Sequence, residues 1–507
     1  MIIGKVLSQR ALITPNREAM ISRGRRFTFS QLNERSNQMA NALLGLGVNP
    51  GDRVGILMAN NNEFVETYFA AAKIGAVLVP LNIRLAPPEL DFILEDCSVS
   101  TFIFGHGFDG KVKDMEYLRN VQHRISTGPC SLLDTLDYEQ LLALAPSVEP
   151  SAPASEDDLQ VIMYTSGTTG QPKGAMLTHG NMYVGAVDIL IGLHYEYPDR
   201  CLLLAPFFHS GAITPLVGHI IRGISTVTME SFDPKGALML IEKYRIQLML
   251  GVTTIMQMIL QEPNLERYDL RSWEMAFLPG SPLPYSLIKE AHDRLGILCQ
   301  NLWGLTEMCG PGAVMNIEDI LRKPESAGKA YFNVDIRIVD QEGQDVPLGQ
   351  MGEIVVRGPN MMLGYWNQAE ATQDTIKDGW LHTGDMGRFD EEGYLYVVDR
   401  IKDMILSGGE NIYPAEIERI IREVPGVNDV AVVGIPHNKW GEVGKAFIEK
   451  RPGVALSAEE IIHYCRSKLA GYKAPKIVEF ITALPRTPSG KVLKKTLRAG
   501  KNSNSNL

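Results

Sequence analysis

The sequence predicts an α/β fold in two lobes of unequal size, and three observations lead there. Its 507 residues exceed the usual domain length several times, so more than one core is expected. Hydrophobic residues make up 45% and charged residues 21%, the usage of a compact globular chain and not of a disordered, collagenous or coiled-coil one. Apolar strand-like runs alternate with Gly or Pro turns and helical patterns along most of the length, the rhythm of α/β layering.

Taken in order, DRVGILMAN (52–60) reads as a strand, NEFVETYFAAAKIG (62–75) as a helix and AVLVPLN (76–82) as the next strand. Residues 145–157, rich in Pro, Ser and Ala, read as an exposed connector. The buried-strand pattern LQVIMYT (159–165) follows it. A strand-like run then ends at Asp399, charges cluster through Asp403, and a second run begins, which marks a lobe boundary. Beyond it PAEIERIIREVPGV has apolar residues at helical spacing, DVAVVGIP is a strand and SAEEIIHYCRSKLAGY a second helix. About a hundred residues suffice for such a small α+β lobe.

Lysine and arginine total 49 against 59 acids, a net charge of −10, which is the wrong balance for a general polyanion binder and argues against nucleic acid. The six cysteines (Cys97, Cys130, Cys201, Cys299, Cys309, Cys465) form no C-x-x-C pair, so neither a disulfide framework nor a zinc knuckle is indicated and a reducing, cytoplasmic setting is expected. The apolar stretch 69–81 is broken by Lys73 and too short for a membrane span. The ending SNSNL is not the S-K-L peroxisomal address. From Gly471 to Lys501 eight basic residues face one acid, Glu479. That local positive charge suits a solvated tail or a lobe that closes over phosphate.

The most informative stretch is Tyr164-Thr165-Ser166-Gly167-Thr168-Thr169-Gly170-Gln171-Pro172-Lys173-Gly174. Its glycines let the backbone approach a ligand closely, its hydroxyls and free N–H groups supply donors for phosphate oxygens, and Lys173 supplies a point charge. It shares composition with the Walker A loop but not its order, since Pro172 precedes Lys173 and Gly174 follows. As a whole it closely resembles the phosphate loop of the AMP-forming acyl-CoA synthetase, adenylation-domain and luciferase superfamily. Further motifs follow in that family's order. Trp303-Gly304-Leu305-Thr306-Glu307 is similar to Y-G-x-T-E, Trp380-Leu381-His382-Thr383-Gly384-Asp385 to W-x-x-T-G-D, and Asp399-Arg400-Ile401-Lys402-Asp403 to the hinge motif. Ser407-Gly408-Gly409-Glu410-Asn411-Ile412 resembles the glycine turn beyond the hinge, and Pro485-Arg486-Thr487-Pro488-Ser489-Gly490-Lys491 the terminal lysine motif. The resemblance covers nearly the whole chain.

It implies a large N-terminal α/β lobe (1–399) with stacked sheets and a distorted β-barrel subdomain, and a small mobile α+β lobe (400–507) hinged near Lys402. It implies an acid–thiol ligase that converts a carboxylic acid and ATP into an acyl-adenylate and pyrophosphate, then exchanges AMP for the thiol of coenzyme A. By the resemblance Thr165, Ser166, Gly167, Thr168, Thr169, Gly170 and Lys173 hold the β and γ phosphates, and Glu307, with Thr165, holds Mg²⁺. Thr306 reaches the α-phosphate, Trp303 and Gly304 lie near adenine, Asp385 and Arg400 serve the ribose, and Lys491 is the main catalytic group of adenylation. Rotation at Lys402 withdraws Lys491 and presents Gly408 and Gly409 to the pantetheine arm. Trp440, with Arg84, Tyr472 and Lys476, is a candidate for the nucleotide end of coenzyme A.

The same resemblance builds the acyl pocket from the segments holding His209, Gly280, Ser281, Gly304, Met308 and Gly312. Those residues are mostly apolar, with His209 placed to orient the carboxylate or gate the tunnel. Relatives restricted to very short acids carry Trp where this chain has Gly304, and amino-acid-activating relatives carry an Asp near the start of the segment aligned with FFHSGA, which is missing here. A hydrophobic monocarboxylate, fatty or aromatic, is therefore expected. Alternatives kept open are loading of a carrier-protein phosphopantetheine, luciferase-like oxygenation, and a non-catalytic nucleotide-binding protein. Beyond acid, ATP and coenzyme A no partner is implied, and a homodimer stays open.

Overall fold

The computed structural model describes residues 1–151, 154–165, 172–192, 198–279, 283–400, 403–407, 410–438, 440–469, 471, 473–486 and 492–498. Two compact units emerge from the packing. One comprises Met1–Ile336 and Val356–Leu381, the other Arg337–Val355 and His382–Leu507. Residues 337–355 and 382–399, which the sequence reading groups with the larger lobe, thus cluster with the C-terminal part. The strands Asp335–Val339, Gly352–Arg357 and Trp380–Phe389 each straddle a dividing point.

Two large sheets build the first unit. The seven-stranded sheet runs Leu298–Gln300, Met275–Phe277, Leu248–Leu250, Arg200–Leu203, Ser225–Thr228, Glu18–Ser22, Arg25–Thr28, with only the last pair antiparallel. The eight-stranded sheet runs Gly364–Tyr365, Lys173–Thr178, Leu159–Thr165, Val77–Pro80, Arg53–Leu57, Thr101–Phe104, His123–Ser126, Thr135–Asp137, with two antiparallel pairs at its first edge. Parallel strands are covered on both faces and so read as unbroken apolar runs. VLVP and TFIF are buried at every position.

Helix Asn62–Ile74 forms where the sequence predicts one and is buried along its whole length. Asn61 caps it by accepting from the Phe64 N–H at 2.9 Å, and Gly75 ends it at φ 71°, a backbone state that costs glycine nothing. Complete burial forces its charges to be paired. Glu66 takes both branches of Arg35 at 2.7 and 3.1 Å, and Lys73 reaches Glu149 at 2.5 Å on the Pro- and Ser-rich connector. Asn60 then ties the two sheets together, donating to the Ala205 carbonyl (2.8 Å) and accepting from the Phe207 N–H (2.9 Å). The segment after strand Arg200–Leu203, which carries Phe208 and His209, is set by that amide.

In the second unit strand Gly441–Lys450 is the centre of a five-stranded sheet, pairing with Val427–His437, Ile405–Ser407 and Ile477–Ile481, while Glu410–Ile412 pairs with Ile405–Ser407. Helix Pro414–Arg422 turns Ile417, Ile420 and Ile421 onto Val430, Val432 and Ile448, as its spacing predicts. Ser457 starts helix Ala458–Lys468 with a full capping box to Glu460. The six cysteines are all unbridged. Among the described residues no helix is long and apolar enough to cross a membrane.

Two imidazoles of the first unit are buried: His179, whose Nδ1 accepts from the Ile3 N–H at 3.3 Å, and His219, whose Nδ1 shares a hydrogen bond with the Thr226 hydroxyl at 3.0 Å. Burial pushes both down to about 4, below the unfolded value of about 6.5. Their contribution to stability is therefore complete above about pH 6.5 and is lost as pH falls through about 4. Urea unfolding between pH 7.5 and 4.5 should show stability falling across this window by up to roughly 3 kcal/mol per histidine. His219→Gln, which keeps a partner for Thr226 without a titrating ring, should flatten that slope. An unchanged slope in the variant would remove His219 from the acid sensitivity.

Candidate active site

Thr165 ends strand Leu159–Thr165 and pairs with Lys173, the first residue of strand Lys173–Thr178. The two flanks of the predicted phosphate loop are thus held side by side. Ser166, Gly167, Thr168, Thr169 and Gly170 lie outside the described residues. The base of the hairpin is anchored from behind. Tyr164 donates its hydroxyl to Asp96, and Cys97 Sγ lies 3.2 Å from the same oxygen. The Asp96 carbonyl accepts the Trp366 indole N–H at 3.0 Å. Partial burial, with the Asp96 carboxylate and the Cys97 thiol in contact with it, pushes the Tyr164 phenol far above its ordinary range, so it serves as a neutral donor.

The acid predicted to hold a metal ion is brought to this loop by a segment with no predicted role. Residues 360–366 run between strand Lys173–Thr178 and the turn Thr306–Met308. The Met362 N–H donates to the Glu307 carbonyl at 2.8 Å, Leu363 to the Met176 carbonyl at 3.0 Å and Trp366 to the Gly174 carbonyl at 2.8 Å. Asn360, fully buried, gives its amide to the Met308 and Pro311 carbonyls at 2.9 Å each. At the centre Tyr365 donates its hydroxyl to Glu307 Oε1 at 2.8 Å, while Lys173 Nζ lies 5.0 Å from the centroid of the same ring. One tyrosine therefore orients the carboxylate on one side and carries the loop ammonium over its π face on the other.

Thr306 meets the other wall, where Ser210 Oγ donates to Thr306 Oγ1 at 3.4 Å. Ser210 opens helix Ser210–Arg222, and His209 precedes it, its ring 4.6 Å from that of Phe208. Gly304 and Gly312 lie on paired strands, and each is required by contact. A Cβ on Gly304 would sit 1.4 Å from the Gly310 carbonyl oxygen, and one on Gly312 would strike the Trp303 ring at 2.7 Å. Between them Cys309 turns at φ 55° and Gly310 at φ 111°, and the Thr214 hydroxyl holds the Cys309 carbonyl at 2.6 Å. Met308 is fully buried. Gly280 and Ser281 lie outside the described residues.

In the second unit Asp385 is buried on strand Trp380–Phe389, opposite Arg400 in the register with Leu395–Arg400. The two residues expected at the ribose are therefore neighbours. The Thr383 hydroxyl donates to the Ile354 carbonyl (2.6 Å) and accepts the Asp385 N–H (3.0 Å), while Glu353 takes the Gly384 N–H (3.1 Å) and His382 Nδ1 (2.8 Å). Trp440 follows strand Val427–His437 and is 42% exposed. Lys402, Gly408, Gly409 and Lys491 lie outside the described residues.

Sequence reasoning missed Tyr365 and Asn360, whose partners are 58 and 52 residues away, and it missed Asp188. On helix His179–Gly192, Gly185 faces Cys309, whose Cβ would lie 2.9 Å from a Cβ placed on the glycine, and Gly192 faces the Tyr331 ring. Asp188 sits between them, fully buried. Its Oδ1 accepts from Asn333 at 2.7 Å, whereas its Oδ2 and the Tyr331 hydroxyl are buried without a hydrogen-bond partner. Burial, only partly offset by Asn333, pushes the Asp188 carboxyl up to about 6.

Residues 7–366 match the family model described as AMP-binding enzyme, and residues 416–491 that of the AMP-binding enzyme C-terminal domain. A feruloyl-CoA synthase of an Amycolatopsis species is 40% identical over 491 residues, covering 97% of each chain. The long-chain-fatty-acid–CoA ligase FadD13 of Mycobacterium tuberculosis is 39% identical over 501 residues, covering 98% of each. Among solved structures, the o-succinylbenzoate CoA synthetase of Bacillus subtilis is 34% identical. Its complex with ATP and a magnesium ion superposes with a TM-score of 0.86 over 97% of this chain and 98% of that one. Its complex with the acyl-adenylate OSB-AMP gives 0.87 over 99% of both.

Asp188 has an ordinary value of 3.8 when unfolded and about 6 when folded. Its contribution to stability is therefore present below about pH 4 and lost as pH rises through about 6. Asp188→Asn, neutral at every pH, should be more stable than the parent by about 2 kcal/mol at pH 7.5, with the gap closing towards pH 4. Denaturant unfolding at the two pH values checks this, and a gap independent of pH would show that Asp188 is not protonated by the fold.

Proposed function

The chain belongs to the AMP-binding enzyme family as an AMP-forming acyl-CoA synthetase, and we propose that it activates a hydrophobic carboxylic acid, aryl or fatty, on the residues assembled around Tyr365. The observation that carries this reading is the bond from Tyr365 to Glu307 with Lys173 over the same ring. It supports a phosphate loop and a metal-binding acid acting on one polyanion. The Glu307 carboxylate and the Thr165 hydroxyl are hard oxygen donors of the kind Mg²⁺ takes, and both residues are only partly buried. Mg²⁺ bound there would neutralise charge on the phosphates.

In the first half-reaction a carboxylate oxygen attacks the α-phosphorus of ATP, the bond to the β-phosphate breaks and pyrophosphate leaves. Anion meets anion, so positioning and charge neutralisation govern the rate. Lys173 and the loop donors Ser166 to Gly170 hold the departing phosphates, Thr306 steadies the α-phosphate, and Asp385 accepts from the ribose hydroxyls with Arg400 beside it. Lys491 places its ammonium between the acid's carboxylate and the ribose-phosphate oxygens. In the second half-reaction the thiol sulfur of coenzyme A attacks the acyl carbon, the bond to AMP breaks and the thiol proton is lost to solvent. Rotation at Lys402 exchanges Lys491 for the turn containing Gly408 and Gly409, whose missing side chains leave room for the pantetheine arm. Trp440 is a stacking surface for the adenine of coenzyme A.

The acid is received by Phe208, His209, Gly280, Ser281, Met308 and Gly312. Support for a hydrophobic acid comes from the apolar, buried character of Phe208 and Met308 and from relatives named for a feruloyl and a long-chain fatty acid. A panel of C2 to C16 and aryl acids with ATP and Mg²⁺ should give pyrophosphate release dependent on a hydrophobic acid, followed by thioester with free coenzyme A. Silence across the panel would overturn the reading. Lys491→Ala should abolish pyrophosphate release yet leave conversion of supplied acyl-adenylate to thioester within a few-fold of the parent. Equal loss in both assays would remove the exchange at the hinge.

A further inference from the structure

Lys491 lies outside the described residues, but the residues on either side of 487–491 are described. Arg486 and Val492 form an antiparallel bridge, and the Leu493 N–H closes it on the Pro485 carbonyl at 2.7 Å. Each flank carries a cation seated on an acid of the sheet and helix beneath. Arg486 pairs with Asp429, which also takes Arg422 Nε at 3.3 Å. Lys494, three residues after Lys491, places Nζ 2.8 Å from Glu418 Oε1 with its side chain 15% exposed. Glu418 sits on helix Pro414–Arg422 and is itself fixed, accepting the Val432 N–H at 2.8 Å.

The short helix Lys494–Arg498 continues this anchoring. Leu497 packs on Ala431, Val433, Phe447 and Leu484, and Arg498 reaches Asp403 at 3.0 Å. Asp403 follows the hinge pair 401–402. Asp399, which precedes it, accepts the Ala415 N–H at the start of helix Pro414–Arg422 at 2.9 Å. Burial pushes the Lys494 ammonium down, but Glu418, Asp399 and Asp403 together lift it above its ordinary value, so it stays charged. A largely buried lysine seated on Glu418 is costly to order unless its place matters.

We propose that Lys494, three residues after Lys491, is a positioning residue for adenylation, a peg whose seat on Glu418 fixes where the chain carrying Lys491 leaves the body of the second unit. This rests on the reading of Lys491 given above. Its ammonium acts at long reach, and a displacement of an ångström at the reacting atoms costs on the order of 100-fold. Thioester formation, which does not use Lys491, has no such dependence on the peg.

The test uses the full-length chain with the acid found by the panel and follows both half-reactions separately. Lys494→Met should slow acid-dependent pyrophosphate release by about 100-fold in kcat with the KM for ATP little changed. It should leave thioester formation from supplied acyl-adenylate within about three-fold. Lys494→Arg, which keeps a cation for Glu418, should recover most of the lost rate. Arg498→Gln, on the more exposed end of the same helix, should give the same split more weakly and decides the matter if Lys494→Met does not fold. Equal slowing of both half-reactions, or of neither, in a folded variant overturns the proposal. Failure of the underlying reading looks different, since the parent would then release no pyrophosphate or Lys491→Ala would retain the rate.

Discussion

Glu307 is held in place by a strand to which it does not belong, and the rest of the site follows from that. Its carboxylate takes the hydroxyl of Tyr365 and its carbonyl takes the N–H of Met362, while the same short segment adds an edge strand beside Lys173–Thr178. A buried hydrogen-bonded network of this kind is rigid only if its members are satisfied. Asn360 supplies that by filling two carbonyls of the turn that follows Glu307. The turn Thr306–Met308 and the strand that begins at Lys173 are thereby held in one frame.

Much of this molecule is legible along the chain because its periodicities are local. A helix buried on every face, a strand apolar at every position and a capping box each announce themselves within ten residues. Thr165, Lys173, Thr306, Glu307 and Asp385 could be named for the same reason, since each lies in a short motif whose order matches the family. Tyr365, Asn360 and Asp188 could not. Their roles depend on closures over 58, 52 and 145 residues, and nothing near them in sequence distinguishes them from ordinary packing residues. The division into two units has the same character: which strands before Asp399 pack with the C-terminal part is decided by pairing at a distance.

The two units solve the placement of ions differently. In the first, wholly buried charges such as Glu66 and Lys73 are paired across elements and serve packing. In the second, arginine and lysine contacts with Asp403, Glu418 and Asp429 tie Arg422, Arg486, Lys494 and Arg498 to the segments beside them. Exposed pairs contribute little to stability one at a time, but a connected series restricts direction.

The contact beneath Gly304 bears on how such a binding site diversifies. Any side chain there meets the Gly310 carbonyl oxygen before it meets a ligand, and Gly310 is itself in a backbone state that other residues rarely adopt. Position 304 therefore cannot be enlarged on its own. A larger residue becomes tolerable only after the 309–311 turn has already shifted, so the order in which mutations arrive matters. Descendants with a larger residue at 304 should carry the history of that rearrangement in the turn and not at the glycine alone.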